Sequence, residues 1–163
     1  MQRSTLSITT AVLGAALSGA AAAEPRTFKD WALRCPEAAP CVLEQRVLLE
    51  GNDQSPLLHF ALQYSTAPRT LNAIARVPLG VQLEPGLEIR IDAGSPIKLR
   101  YHHCRPEGCI VLHQLDAALT AALRRGTQAL IRYRLIDGRS LDVPLSLLGI
   151  SAGLHALEAR RPD

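Results

Sequence analysis

The chain has 163 residues, and its 18 Lys and Arg residues against 15 Asp and Glu residues give a formal net charge of +3 without a basic run. Only 4% of the residues are aromatic. Nucleic-acid binding needs clustered cations and, for single strands, aromatic stacking platforms, so the composition argues against a nucleic-acid partner.

The N-terminus has the pattern of an export signal. Arg3 lies in a short polar start, and the apolar stretch 6–23 ends in Ala21, Ala22 and Ala23. Small residues there suit cleavage by signal peptidase after Ala23. A membrane helix is the alternative, but the stretch is barely long enough and no positive cluster follows it. We therefore expect a cleaved signal peptide at 1–23, a single domain at 24–163 with no membrane span, and a periplasmic, outer-surface or extracellular location.

Beyond the signal, apolar and polar residues alternate in short runs between Pro and Gly turns. This period of two is typical of half-buried β-strands. The predicted strands lie at 31–35, 41–50, 58–64, 87–92, 97–102, 129–135 and 141–147. The dipeptide Asp137-Gly138 predicts a hairpin between the last two. The fold class we expect is mainly β, an antiparallel β-sandwich or barrel-like sandwich.

The segment from Pro78 to Gly86 allows two interpretations. It could be a recognition loop, because Gly and Pro punctuate it at both ends. We instead expect Val81, Leu83 and Leu87 to form a core strand between two turns.

Two short helices are predicted near the C-terminus. Asp116 can cap the first, and Gly126 can end it. Arg124 and Arg125 would then lie near the negative end of the helix dipole. A final apolar stretch beyond a possible cap at Ser151 predicts a closing helix.

The four cysteines form two close pairs, Cys35 with Cys41 and Cys104 with Cys109. In an exported protein such pairs become disulfides. A crossed link such as Cys35 to Cys104 would stabilise the fold by roughly 4 kcal/mol, against roughly 2 for a local one, on the chain-entropy model. We still expect local pairing, because adjacent thiols meet first during oxidation. Both members of the first pair are predicted on apolar strand faces.

The second pair has turn chemistry of its own. Pro106 and Gly108 stand at the second and fourth positions of a four-residue turn, as in type I turns. Such a turn would place Cys104 opposite Cys109, within the Cα separation of about 4.4 to 6.8 Å that disulfides adopt.

Zinc is the alternative for the same region. Three histidines and two cysteines lie at 102–113, and they are His102, His103, Cys104, Cys109 and His113. Two thiolates with two imidazoles are a recognised zinc set. Exported thiols are usually oxidised and then cannot bind a metal, so we expect no metal and no cofactor here. The alternative function is a zinc-binding exported protein or a hydrolase.

Catalytic motifs are not evident. His59, His113 and His155 are scattered, and no serine stands in a G-x-S-x-G elbow. The cysteine spacings differ from the two-residue spacing of redox-active thiols. We therefore expect no catalytic residues and no enzymatic activity.

Several motifs together resemble the invasion-associated locus B family of bacterial exported proteins. They cover nearly all of the chain after the signal. The motifs are Trp31-x3-Cys35, Pro78-Leu79-Gly80-Val81-x-Leu83-x-Pro85-Gly86-Leu87, Cys104-x4-Cys109 and Val143-x-Leu145-Ser146-Leu147-x-Gly149.

The resemblance implies a periplasmic or surface-associated β-sandwich without known catalytic residues, linked in some pathogens to entry into host cells. By this resemblance, we expect the four cysteines to form disulfide crosslinks and Trp31 to be an anchor of the core. The resemblance indicates no ligand-binding residues. The partner we expect is an unidentified protein or envelope component.

Overall fold

Two antiparallel β-sheets and two short helices make up the computed structural model, which describes residues 24–49 and 51–161. In spatial order, the strands of the seven-stranded sheet are β1 (Arg26–Phe28), β2 (Trp31–Arg34), β3 (Val42–Leu49), β4 (Asn52–Tyr64), β5 (Leu71–Val77), β9 (Gly108–Gln114) and β8 (Tyr101–Arg105). Those of the four-stranded sheet are β11 (Ser140–Ser146), β10 (Gln128–Arg134), β6 (Leu87–Ile91) and β7 (Ile97–Leu99). The helices are α1 (Ala117–Arg125) and α2 (Ile150–Glu158). The predicted fold class is confirmed, whereas the signal peptide predicted at 1–23 lies outside the described residues.

The core lies between the two sheets and takes the apolar face of each. Phe60 of β4, Ile131 of β10 and Leu145 of β11 are almost completely buried. Burying one such side chain contributes about 1.5 to 3 kcal/mol. Trp31 of β2 is buried with them and packs edge-on against Phe60, with ring centroids 6.2 Å apart, so the core-anchor prediction holds.

Polar side chains inside the sandwich bond across the gap between the sheets. Tyr133 Oη donates to the carbonyl of Leu57 at 3.0 Å, and Trp31 Nε1 donates to the carbonyl of Ser146 at 3.0 Å. The amide of Gln45 donates to that same carbonyl and accepts from the Ser146 N–H at 3.1 Å. Because every such bond joins one sheet to the other, these groups fix how the sheets sit on each other.

The helix α1 follows its predicted boundaries. Asp116 accepts from the N–H of Leu119 at 2.7 Å, and the N–H of Gly126 donates to the carbonyl of Ala122 at the other end. Gly126 has an ordinary φ of −70°, so packing explains the glycine: a Cβ would lie 2.7 Å from Cγ2 of Ile91. Within the described ranges, neither helix has the length and apolar character needed to cross a membrane.

The predicted cap of α2 is wrong. Gly149, with φ at 91°, is the N-cap residue, and it approaches the Phe28 carbonyl too closely to carry a Cβ. This left-handed turn starts the helix at Ile150, ahead of Ser151. The Ser151 hydroxyl instead donates to the carbonyl of Arg124 at 2.7 Å and ties the two helices together.

The predicted strand 97–102 is two strands in different sheets. Leu99 of β7 pairs with Leu87 in the smaller sheet, and Tyr101 of β8 pairs with Val111 in the larger one. The chain therefore crosses between sheets at Arg100, as strands do at the corners of sandwiches. Alternation continues through such a corner, which is why the sequence pattern did not show it.

The single core strand predicted through Val81, Leu83 and Leu87 is also wrong, although Leu87 itself is buried and begins β6. Val81 is buried and forms a single bridge to Leu135, but Leu83 is 54% exposed. Gly80 and Gly86 both have positive φ, so the segment turns twice within seven residues and has no room for a paired strand.

Candidate functional site

Both disulfides join neighbouring segments. Cys35 and Cys41 close the loop between β2 and β3 with a Cα separation of 4.1 Å, and Cys104 and Cys109 face each other across the β8–β9 hairpin at 4.0 Å. The pairing is therefore local. Cys41 is half-buried, but Cys35 is exposed because β2 ends one residue before it, so the expectation of an apolar face fails for Cys35.

The second disulfide holds a hairpin against β5. Its two-residue loop follows Arg105, and the next residue, Gly108, has φ of +135°. A Cβ at Gly108 would collide with the carbonyl of Val77 and would lie 3.1 Å from Cγ of Arg76. Because residue 108 is glycine, the hairpin can pack directly against the aliphatic part of the Arg76 side chain.

The structure does not assemble the zinc set considered from the sequence. Cys104 and Cys109 are bonded to each other, so neither sulfur is a thiolate that could bind a metal. His102 and His103 contact each other through their Nδ1 atoms at 2.8 Å on the exposed edge strand, while His113 lines a separate cleft beside α1. Among residues 24–49 and 51–161, no group of three or more potential metal ligands comes together.

A chain of hydrogen bonds crosses the outer face of the seven-stranded sheet, from β2 to β5. Arg34 Nε donates to Glu44 Oε1 at 2.6 Å, and His59 Nε2 lies 2.7 Å from Glu44 Oε2. Arg76 Nη2 lies 2.7 Å from His59 Nδ1. We call these four residues, Arg34, Glu44, His59 and Arg76, the outer-face network.

The network fixes the tautomer of His59. A guanidinium can only donate, so Nδ1 must accept from Arg76. The proton of the neutral ring is then on Nε2 and is donated to Glu44. Both ring nitrogens and both carboxylate oxygens therefore have partners, which explains how Glu44 can be only 8% exposed on the outer side of a sheet.

Burial and hydrogen bonding shift the protonation of the network. Burial lowers the pKa of His59 below its usual value, although its bond to Glu44 acts in the other direction. Burial alone would raise the pKa of Glu44, but the hydrogen bonds from His59 and Arg34 outweigh it and the pKa is lowered. The neutral imidazole and ionised carboxylate that the geometry requires are thus the favoured forms near neutral pH.

At the β5 end of the network lies a cleft of about 480 Å³, which we call the arginine cleft. Its lining includes Arg46, Pro56, His59, Arg76, Leu79, Pro106 and Glu107. Arg46, His59 and Arg76 are direct cross-strand neighbours on β3, β4 and β5, so the two guanidinium groups flank a neutral ring. The cleft therefore presents the hydrogen-bond donors of two arginines next to apolar side chains.

A larger cleft of about 610 Å³ lies between α1 and the β6–β7 turn. Its walls include Ile91, Ile97 and Leu119. The two carboxylates at its rim are already engaged, because Asp116 caps α1 and Asp92 accepts from the N–H groups of residues 127 and 128. Ser95, His113 and Arg125 also line this cleft, but most of its surface is apolar.

Sequence reasoning missed the outer-face network and the strand that carries its last member. The alternation of Leu71, Ala73, Ala75 and Val77 with half-buried positions, two of which are the polar Asn72 and Arg76, could have revealed β5. The network itself leaves no local signal, since Glu44, His59 and Arg76 meet only through the registers of three strands.

Comparisons with known proteins agree with this fold. Residues 31–158 match the family described as Invasion associated locus B (IalB) protein. Two proteins named invasion protein B homologues, from two strains of Brucella abortus, are each 26% identical over 149 residues, covering 89% of this chain and 85% of theirs. The crystal structure of invasion associated protein b from Bartonella henselae superposes with a TM-score of 0.72 at 24% identity, covering 84% of this chain and 97% of that one.

Proposed function

Because the chain belongs to the Invasion associated locus B protein family, we propose that it is an exported, non-catalytic binding protein of the periplasm or outer surface. The observation that carries the proposal is the arginine cleft, a pre-shaped donor site beside a disulfide-closed hairpin. The Brucella relatives are named invasion protein homologues, and we extend to this chain a contribution to host-cell contact through a bound protein or envelope partner.

Export is supported by the disulfides. Cys35 and Cys104 are both exposed, so cytosolic reductants would reach either bond. Local links between exposed segments persist only in an oxidising compartment. The alanine-rich leader predicted at 1–23 would supply the route.

A binding role without catalysis is supported by how the polar residues are used. A general base needs a free lone pair within reach of substrate. His59 has both nitrogens engaged, and both oxygens of Glu44 are engaged as well. These groups stabilise a surface and position Arg76 rather than exchange protons.

Site-specific photo-crosslinking in intact cells tests the function. A photo-reactive amino acid placed at Leu79, which is 53% exposed in the arginine cleft, should give a discrete crosslinked product. The matched control is Leu148, which is 57% exposed between β11 and α2 and should give none. Equal labelling from both positions, or from neither, would contradict binding at this cleft.

Cell fractionation tests export separately. We expect the protein in the periplasmic or surface fraction, beginning after Ala23 and without free thiols. An uncleaved protein in the cytosol with reactive thiols would overturn the export proposal.

A further inference from the structure

We infer that the arginine cleft binds a carboxylate of a protein segment in which an apolar side chain flanks the acidic one. This inference rests on the proposed binding function and names the chemistry of the partner. Three observations carry it: the fixed position of Arg76, the charge balance of the cleft and the apolar character of its walls.

Arg76 is held in place at both ends of its side chain. Its stem packs against Gly108 of the disulfide-closed hairpin, and its head donates to His59. His59 is fixed in turn by Glu44, which is fixed by Arg34. Because one guanidinium edge suffices for His59, other N–H groups of Arg76 remain to donate to a ligand. A pre-positioned arginine loses little side-chain entropy on binding.

The charge balance favours an anion of low charge. Arg46 and Arg76 flank the cleft, and the ring of His59 between them is neutral. Among the side chains that the structure describes, Arg76 forms no ion pair with a carboxylate. Glu107 also lines the cleft and offsets one of the two guanidinium charges, so a ligand with a single negative charge balances what remains. A carboxylate therefore suits the cleft better than a phosphate.

The apolar walls of the arginine cleft favour a protein segment over a free carboxylic acid as the ligand. Pro56, Leu79 and Pro106 provide apolar surface beside the guanidinium groups, and Leu79 is half-exposed without a partner in the described chain to cover it. An acidic side chain next to an apolar one matches both parts of this surface. Planar guanidinium groups recognise carboxylates through paired hydrogen bonds.

NMR titration of the oxidised protein provides the test. The probe is a short Gly/Ser peptide with a central Leu-Glu-Leu, compared with its Leu-Gln-Leu counterpart, and the readout is the side-chain Nε–H signal of Arg76. We expect saturable shifts with Leu-Glu-Leu and about tenfold weaker binding of Leu-Gln-Leu, since one charge-assisted pair is lost. Equal binding of the two peptides, or no shift with either, would overturn the inference.

Variants assign the binding to the cleft. Arg76→Gln and Arg46→Gln should each weaken Leu-Glu-Leu binding by about tenfold. Arg134→Gln, at an exposed position on β10 of the other sheet, should leave it within about twofold. Unfolding curves identify any variant that is misfolded, and two separate arginine variants keep the test valid if one of them is. Unchanged affinity in both folded variants would refute the site.

Two further binding measurements compare the peptide with other sources of negative charge. Inorganic phosphate and vesicles containing an anionic phospholipid should bind more weakly than the peptide, and stronger binding of either would overturn the protein-segment assignment. Crosslinking from Leu79 in cells remains an independent measure. A crosslinked partner together with peptide failure would refute the carboxylate while leaving the proposed function intact.

Discussion

The two sides of the seven-stranded sheet are built from the same strands but from different chemistry. On the core-facing side, Leu43 and Leu62 lie in one cross-strand row. Three residue pairs further along and on the outer side, Arg46, His59 and Arg76 stand next to each other. The inner row gains stability from apolar area, which is additive and has no direction. The outer-face network, to which His59 and Arg76 belong, depends on hydrogen bonds in series, so each member is held by the one before it.

This contrast separates what stabilises the molecule from what it can recognise. Loss of one inner side chain leaves a cavity and weakens the whole fold. Loss of one network residue leaves the core intact but releases Arg76. Inner substitutions should therefore lower the free energy of unfolding most, whereas substitutions in the network should mainly change its pH dependence and ligand binding.

The largest expected effect comes from the inner face. Phe60→Ala should lower the free energy of unfolding by about 3 to 5 kcal/mol, because a fully buried ring is removed from contact with Trp31. Gln63→Ala, on the outer side of the same strand, should change it by no more than about 0.5 kcal/mol. Urea unfolding monitored by Trp31 fluorescence measures both. Similar losses for the two variants would show that the faces are not energetically distinct.

The two disulfides should contribute equally to the stability of the protein, but only one of them should affect peptide binding. Replacing either pair by alanines should cost about 2 kcal/mol, since both loops are of similar size. Alanine is used rather than serine because serine would place a hydroxyl at position 109, which is buried. Only the Cys104→Ala/Cys109→Ala variant should also weaken binding of the Leu-Glu-Leu peptide, because its hairpin supports Arg76. Equal weakening by Cys35→Ala/Cys41→Ala would remove that link.

The same contrast explains what the sequence could predict. Alternation located most strands that line the core, and Asp116 and Asp137-Gly138 marked a helix start and a hairpin, because these depend on residues within a few positions of each other. The crossing at Arg100 escaped because alternation does not record which sheet a strand joins. The outer-face network escaped because its members lie 10 to 17 residues apart along the chain and meet only through register.

The smallest expected effect is on pH dependence. Folding lowers the pKa of His59 below its usual 6.5, so the unfolded chain binds a proton at pH values where the folded chain does not. Stability should therefore fall as the pH drops through about 6.5, and fall further once Glu44, whose pKa is lowered from 4.5, takes up a proton. His59→Gln should cost roughly 1 kcal/mol at neutral pH.

The pH test compares how steeply stability changes with pH in each variant, rather than the stability at one pH. In thermal unfolding between about pH 7.5 and pH 5.5, the His59→Gln variant should lose less stability than the unsubstituted protein, because the group that takes up the proton is gone. His155→Gln removes an exposed histidine of α2 and should keep the original slope. The two slopes therefore test whether the pH dependence comes from the outer-face network. If His155→Gln flattened the profile as much as His59→Gln, the protonation of the network would not be what links stability to pH.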